Sequence, residues 1–224
     1  GGGVRGVPHR PVSAGGGRRG KVGRARADER RAAPRESHMI QRQIGSGLEL
    51  EPLELRHAPE LYRIEDANRE QLRRWLPWVD ATRSVEDAKA FIHVAMKQSA
   101  ENNGFQSVIR FRGECVGVVG FHAIHWSNRS TSLGYWLASH VQGRGIMTRS
   151  CQAHLEHAFG ELALHRVEIR CAVGNEKSRA IPERLGFRQE GHLRRNTLIR
   201  GEWRDSLVYA LLADEWRPLT TLRT

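Results

Sequence analysis

The apolar positions of this chain fall into blocks whose spacing switches between two and three or four, so strands and helices can be assigned by period. Leu48, Leu50, Leu53 and Leu55 predict a first strand, with order beginning near Leu48, and Pro52 within it implies an edge or a bulge. Helical spacing follows from Pro59 to about Ala67 and again from Arg69 to Trp75, where Pro77 stops it. Ser84 ahead of Glu86 and Asp87 reads as an N-cap with acids in the first turn. It opens a helix carrying Ala88, Phe91, Ile92, Ala95 and Met96 that ends near Asn103-Gly104.

Strands then return. Gln106 to Phe111, Cys115 to His125 and Ser132 to Leu137, with a tight turn at Arg112-Gly113, predict an antiparallel meander. Met147, Cys151, Leu155, Ala158 and Leu162 mark a helix, Val167 to Val173 a strand, and Glu176 to Leu185 a further helix. His192 to Ile199 and Glu202 to Leu212 form a closing hairpin about Arg200-Gly201. A strand, a helix and a strand in succession require a parallel pair with a right-handed crossover. The expected fold class is therefore α/β in the mixed, α+β sense: a meander plus one parallel pair joined by a crossover helix, with helices on both faces.

Chemistry concentrates where the strand ending at Leu137 meets that crossover helix. Gly143 and Gly145 lack a Cβ, so their backbone N–H groups can approach a ligand, and the helix start adds unpaired donors and a positive dipole end. This is an anion cradle suited to phosphate. A Walker loop is excluded, because no lysine lies between Tyr135 and Leu164. The dinucleotide fingerprint fails as well, with Thr148 in place of its third glycine and Glu168 inside the next strand. In a parallel arrangement the ligand crevice lies beyond the carboxyl ends of the strands. Topology should thus bring Gln142 to Met147 together with Asn175 and Ser178.

Gly134-Tyr135-Trp136-Leu137 followed by Gln142-Gly143-Arg144-Gly145-Ile146 resembles the pyrophosphate loop of the GNAT acetyltransferases. Gly174 to Phe187 is similar to the N-x-x-S-x-x-x-P-x-x-L-G-F segment of one branch of that family. The branch holds the ribosomal-protein-serine and ribosomal-protein-alanine N-acetyltransferases and small-molecule relatives such as microcin-immunity enzymes. Asn68 to Trp78 is similar to the branch's first helical region, and the resemblance covers about Leu48 to Pro218.

The resemblance implies the GNAT acyl-CoA N-acyltransferase fold and acetyl transfer from acetyl-CoA to a primary amine by direct attack in a ternary complex. The acceptor it implies is the N-terminal α-amine of a protein such as a ribosomal protein, or else a small amine such as an aminoacyl-nucleotide antibiotic. An inactive acyl-CoA-binding module with a nucleic-acid-binding tail is the reading of another class. Gln142, Gly143, Arg144, Gly145, Ile146 and Met147 would hold the pyrophosphate, with Asn175 beside them. A backbone N–H near Leu137 would meet the thioester oxygen, and Ser178 would protonate the departing thiolate. Trp75, Trp78 and Trp136 are candidate walls for the acceptor.

Two departures from the family matter. The tyrosine that many of these enzymes carry is absent from Ala180 to Glu183, so Ser178 would act in its place. Asn196-Thr197 stands where the branch has a glutamate, which leaves His122, Glu190 or a water chain to take the amine's proton. No metal is expected: His122 and His125 should face opposite sides of a strand, and His154 and His157 share a helix face but read as a surface pair.

Composition adjusts this picture at one end. Of the 224 residues, the first 38 carry ten Lys/Arg against three Asp/Glu, which is +7 of the net +11. They are rich in Gly, Arg, Ala and Pro and have too few large apolar residues to offset the entropy of ordering. Residues 1–38 are thus expected to be a disordered basic tail, offering RNA a weak contact at most. Ser37-His38-Met39 looks like a junction or an extended start, so the tail is set aside as non-native and residues 39–224 are taken as the acetyltransferase domain. Cys115, Cys151 and Cys171 sit in apolar segments as buried, reduced thiols. No apolar run approaches the ~18 residues that span a bilayer, so a cytoplasmic protein without membrane contact is expected, and an oligomer is compatible with the sequence.

Overall fold

The computed structural model describes residues 41–218, and the expected tail lies outside them. The chain opens with a hairpin, β1 (Arg42–Gly45) and β2 (Leu48–Pro52), turning at Gly47 with φ +63°. Order thus starts before Leu48. β1 is mostly exposed and is held by pairing with β2, so no apolar period announces it. Leu53 N–H bonds Gln106 O at 3.0 Å, which by alternation turns the nitrogen of Pro52 away from the neighbouring strand. β1 covers only Leu48 to Leu50, so Pro52 stands at a local edge, as its missing N–H requires.

Next come α1 (Ala58–Ala67), α2 (Arg69–Leu72) and α3 (Val85–Ala100). α2 is shorter than expected, and its chain passes through turns to Trp75. Ser84 caps α3 by accepting the Asp87 N–H at 3.2 Å. β3 (Phe105–Phe111) and β4 (Glu114–Phe121) meet at Arg112 and Gly113, both with positive φ, as a two-residue hairpin turn demands. β5 (Ser130–Leu137), α4 (Ile146–Glu156) with a π-helical turn at His157–Glu161, β6 (Arg166–Ala172) and α5 (Glu176–Arg184) follow. β7 (Arg188–Ile199) and β8 (Glu202–Leu212) close the chain. The strands form one sheet in the order β1-β2-β3-β4-β5-β6-β8-β7.

Arg110 on β3 reaches Glu51 at 2.8 Å and Glu60 of α1 at 3.2 Å, tying α1 to one face of the sheet. On the other face Phe105 and Phe121 pack on His154 of α4, with ring centroids 5.4 and 5.5 Å away. Helices cover both faces, as expected. β5 and β6 are the parallel pair, but they pair only at Ser130, Thr131 and Ser132. Beyond that point β5 pairs with β4 and β6 with β8, and the two strands part. This parting opens the sheet itself.

Two local expectations are corrected. β4 ends at Phe121, so His122 and His125 do not alternate on one strand; His125 makes only an isolated bridge to Ser130. His154 and His157 are not a surface pair but core, 0% and 4% exposed, because α4 turns that side toward the Phe105–Phe121 cluster. His154 Nδ1 bonds Ser150 O at 2.9 Å, and burial pushes its pKa down to about 4.

The depressed histidine has a stability consequence. The unfolded chain, with an ordinary histidine near 6.5, binds the proton more tightly than the folded one. Stability from His154 is therefore complete above about pH 6.5 and is lost as pH falls toward about 4, by about 3 kcal/mol at most. Urea unfolding of the wild type and His154→Gln between pH 7.5 and 4.5 should show the gap between them narrowing as the pH falls. A gap independent of pH would refute the assignment.

Candidate active site

The parting of β5 from β6 opens into a cavity of about 2360 Å³, more than the 300–1,000 Å³ of an ordinary small-ligand pocket. Its walls come from β5, the bend before α4, the start of α5 and the α1 to α3 region. Of the residues singled out for cofactor, acceptor or proton duty, all but Glu190 line it: Trp75, Trp78, His122, Trp136, Leu137, Gln142 to Met147, Asn175 and Ser178.

The bend is built for close approach. Gly143 and Gly145 have φ of +78° and +70°, and a Cβ on either would meet no atom within 4 Å, so their backbone borders open space. Ile146 and Met147 bury their side chains and anchor the first turn of α4, whose donors are left at the cavity. Arg149, one turn in, lines the same wall, and its buried Nε has no partner among the described residues. Sequence reading passed over it, though four residues after Gly145 is one helical turn.

α5 lies across the groove from the bend. Lys177 Nζ donates to Gln142 Oε1 at 2.9 Å, and Arg184 donates to Thr148 Oγ1 at 2.9 Å. The expected meeting of the two segments is present. Asn175 caps α5 by accepting the Ser178 N–H at 3.3 Å, the ordinary duty of that residue type. Pro182 sits inside α5, four residues after Ser178. It has no N–H, so the Ser178 carbonyl loses its helical donor. Tyr135 supplies the replacement: its hydroxyl donates to Ser178 O at 3.1 Å and accepts from Ser178 Oγ at 3.4 Å. The serine-to-proline spacing was legible in sequence, but the tyrosine was not. Burial holds the Tyr135 phenol well above its ordinary pKa, so it stays protonated.

Ala138 N–H bonds Val116 O at 2.8 Å, and Gly117 is registered with Leu137. In an antiparallel ladder such pairs alternate, so Leu137 turns its N–H away from β4 and toward the gap left by β6. Its carbonyl is taken by Gln142 Nε2 at 3.0 Å. One main-chain donor thus points into the cleft between the bend and α5.

The ring of His122 lies over Gly134, where a Cβ would come within 2.6 Å of it, and its Nδ1 sits 2.9 Å from Ser132 Oγ. Desolvation and the nearby Arg170 charge keep it below the usual histidine pKa. Trp78 and Trp136 stand 6.5 Å apart between centroids, tilted by 57°, and Trp136 is the buried one. Glu190 is corrected as a candidate base: it pairs with Arg166 at 2.6 Å on β7 and does not line the cavity. Asn196 and Thr197 do not line it either, since a register shift between Leu193 and Thr197 interrupts β7 there. The described residues contain no cluster of three or more His, Cys, Asp or Glu able to hold a metal, and no helix among them is long and apolar enough to cross a membrane.

Comparison with known proteins is consistent with this geometry. Residues 47–188 match the family model described as an acetyltransferase (GNAT) domain. The Bacillus subtilis protein YdaF is 36% identical over 73% of this chain and 90% of its own length. A solved structure of RimL, the ribosomal L7/L12 alpha-N-protein acetyltransferase, in complex with coenzyme A superposes with a TM-score of 0.76 at 28% identity, covering 78% of this chain and 99% of that one. The microcin C7 self-immunity acetyltransferase MccE, in complex with acetyl-CoA and AMP, gives 0.73 at 26% identity over 79% and 98% of the two chains.

Proposed function

This chain belongs to the GNAT acetyltransferase family and is an acetyl-CoA-dependent N-acetyltransferase, and from that premise we propose that its acceptor is the N-terminal α-amine of a protein, of the ribosomal-protein class. The observation that carries this reading is a single cavity, where β5 and β6 part, lined both by a glycine bend with free donors and by the three tryptophans. RimL, which acetylates a ribosomal protein's N-terminus, supports the choice of acceptor.

The bend residues 142–147 and Arg149 offer donors to the phosphates. Acetyl-CoA supplies the activated thioester. The Leu137 N–H donates to the carbonyl oxygen as charge gathers there, a type of contact often worth ~3 kcal/mol. The Ser178 hydroxyl, held by Tyr135, gives its proton to the sulfur as the C–S bond breaks and takes one back from solvent through the cavity mouth. Trp75, Trp78 and Trp136 border the acceptor.

A small amine bearing a flat ring is the second reading, favoured by the Trp78–Trp136 pair and by the likeness to MccE with its AMP. Thiol release from acetyl-CoA, measured against peptides with free N-termini, small polyamines and aminoacyl nucleotides, separates the two. The peptides are expected to give the highest kcat/KM. A preference for an aminoacyl nucleotide would replace the first reading with the second.

A further inference from the structure

The transfer chemistry above leaves one part of the cavity unused. Glu65, on the inner side of α1, is 4% exposed, and its Oε2 has no donor among the described residues. Gln71 presents a buried side-chain oxygen, Oε1, in the same condition. Both line the cavity, as do Leu72 and Trp75 of the same region. A buried polar atom left unpaired costs ~1–3 kcal/mol, more if charged. These two atoms are both acceptors, and their complement is a group made only of donors, as an ammonium is. At the bend the polarity is inverted, for there the unpaired buried atom is Arg149 Nε, a donor.

Glu65 is also in the right place. Asn68, one turn on and on the same side of the chain, accepts at Oδ1 both the N–H and the hydroxyl of Ser139, each at 2.8 Å. Ser139 is two residues past Leu137. Glu65 is thereby tied to the end of β5 from which the Leu137 N–H points into the cleft. His122, the other candidate, rests on Gly134, three residues or about 10 Å back along the strand.

We propose that Glu65 receives the acceptor's ammonium group and takes its proton, with Gln71 Oε1 as the second acceptor of the same group. The proposal rests on the N-acetyltransferase reading but not on which amine is used. One N–H bond of the ammonium breaks, its electron pair stays on nitrogen, and the free amine can attack. The proton forms an O–H bond on Glu65 and leaves later to solvent through the cavity mouth.

Burial pushes the Glu65 carboxyl up to about 7, with the Arg69 charge only partly opposing it. The Cys115 thiol on β4 also acts on it and stays neutral, pushed by burial to about 11, while α3 buries Ala88, Ile92 and Ala95 and brings Asp87 to the cavity wall. A base near 7 nearly matches an α-amine at about 7.7–8.0, so the transfer is only slightly uphill.

The test is the pH profile of kcat/KM for the wild type, Glu65→Gln and Glu65→Asp, by thiol release with the preferred amine. Wild type should show an acid limb near pH 7. Glu65→Gln should lose that limb and fall by about 10²-fold at pH 7.5, with CoA affinity unchanged and Glu65→Asp partly active. The Glu65→Gln protein should also melt several degrees higher above pH 7. The folded state raises this carboxyl's pKa, so stability is lost as pH rises from the ordinary carboxyl value of 4.5 to about 7, and above that the full loss stands, a cost that an amide does not carry. A Glu65→Gln enzyme with wild-type kcat/KM and limb, or a limb removed by His122→Gln instead, overturns the proposal. A wild type that prefers a small amine corrects only the acceptor, and the same loss is then expected with that amine.

Discussion

Gly143→Val is expected to weaken coenzyme A binding by about 10²–10³-fold, which is on the order of 3–4 kcal/mol. Lost phosphate contacts give that figure, whereas backbone strain, borne by the free and the bound protein alike, lowers stability. A φ of +78° is a left-handed conformation that a β-branched residue adopts only under strain of about 1–3 kcal/mol. The valine would also fill the open space that the glycine borders and push the phosphates away from the backbone donors, each such charged bond being worth ~1.5–3 kcal/mol. Calorimetric titration with coenzyme A reads the loss. Gly201→Val is the control, because it has the same backbone strain (φ +80°) and open Cβ space but lies at the β7–β8 turn outside the cavity. If Gly143→Val bound coenzyme A as the control does, the bend would not be the phosphate site.

Ser178→Ala should lower kcat by about 10²-fold, the scale of one positioned proton donor, while leaving coenzyme A affinity within a factor of about two. Tyr135→Phe should cost about tenfold in kcat and destabilise the fold by ~1–3 kcal/mol, since it strips the Ser178 carbonyl of its donor. If the phenol acts through the serine, the double variant will be no slower than Ser178→Ala alone. A double variant slower by the product of the two would show that Tyr135 acts independently. Lost coenzyme A affinity in Ser178→Ala would make that residue structural.

Much of the architecture was legible before any coordinates. Ser84 announced α3 because an N-cap is a contract between neighbours three residues apart. Arg112-Gly113 announced a hairpin because both positions must adopt positive φ. The pairing of Gln142 with the start of α5 followed from a topological rule, though the atom that makes the contact, Lys177 Nζ, did not. The burial of His154 was misread, since one helix face with two histidines says nothing about what packs against it.

The sequence by itself determined the elements, their order, the glycine bend and the parallel crossover, because period, capping and backbone sterics act within a few residues. Only the tertiary structure decided that β5 and β6 part after Ser132, that Tyr135 replaces the donor Pro182 lacks, and that Glu65 and Gln71 turn unpaired oxygens to the cavity. These depend on how whole elements dock, where residues 43 positions apart or more share one hydrogen bond and the low polarity of the interior sets the price of leaving one unmade.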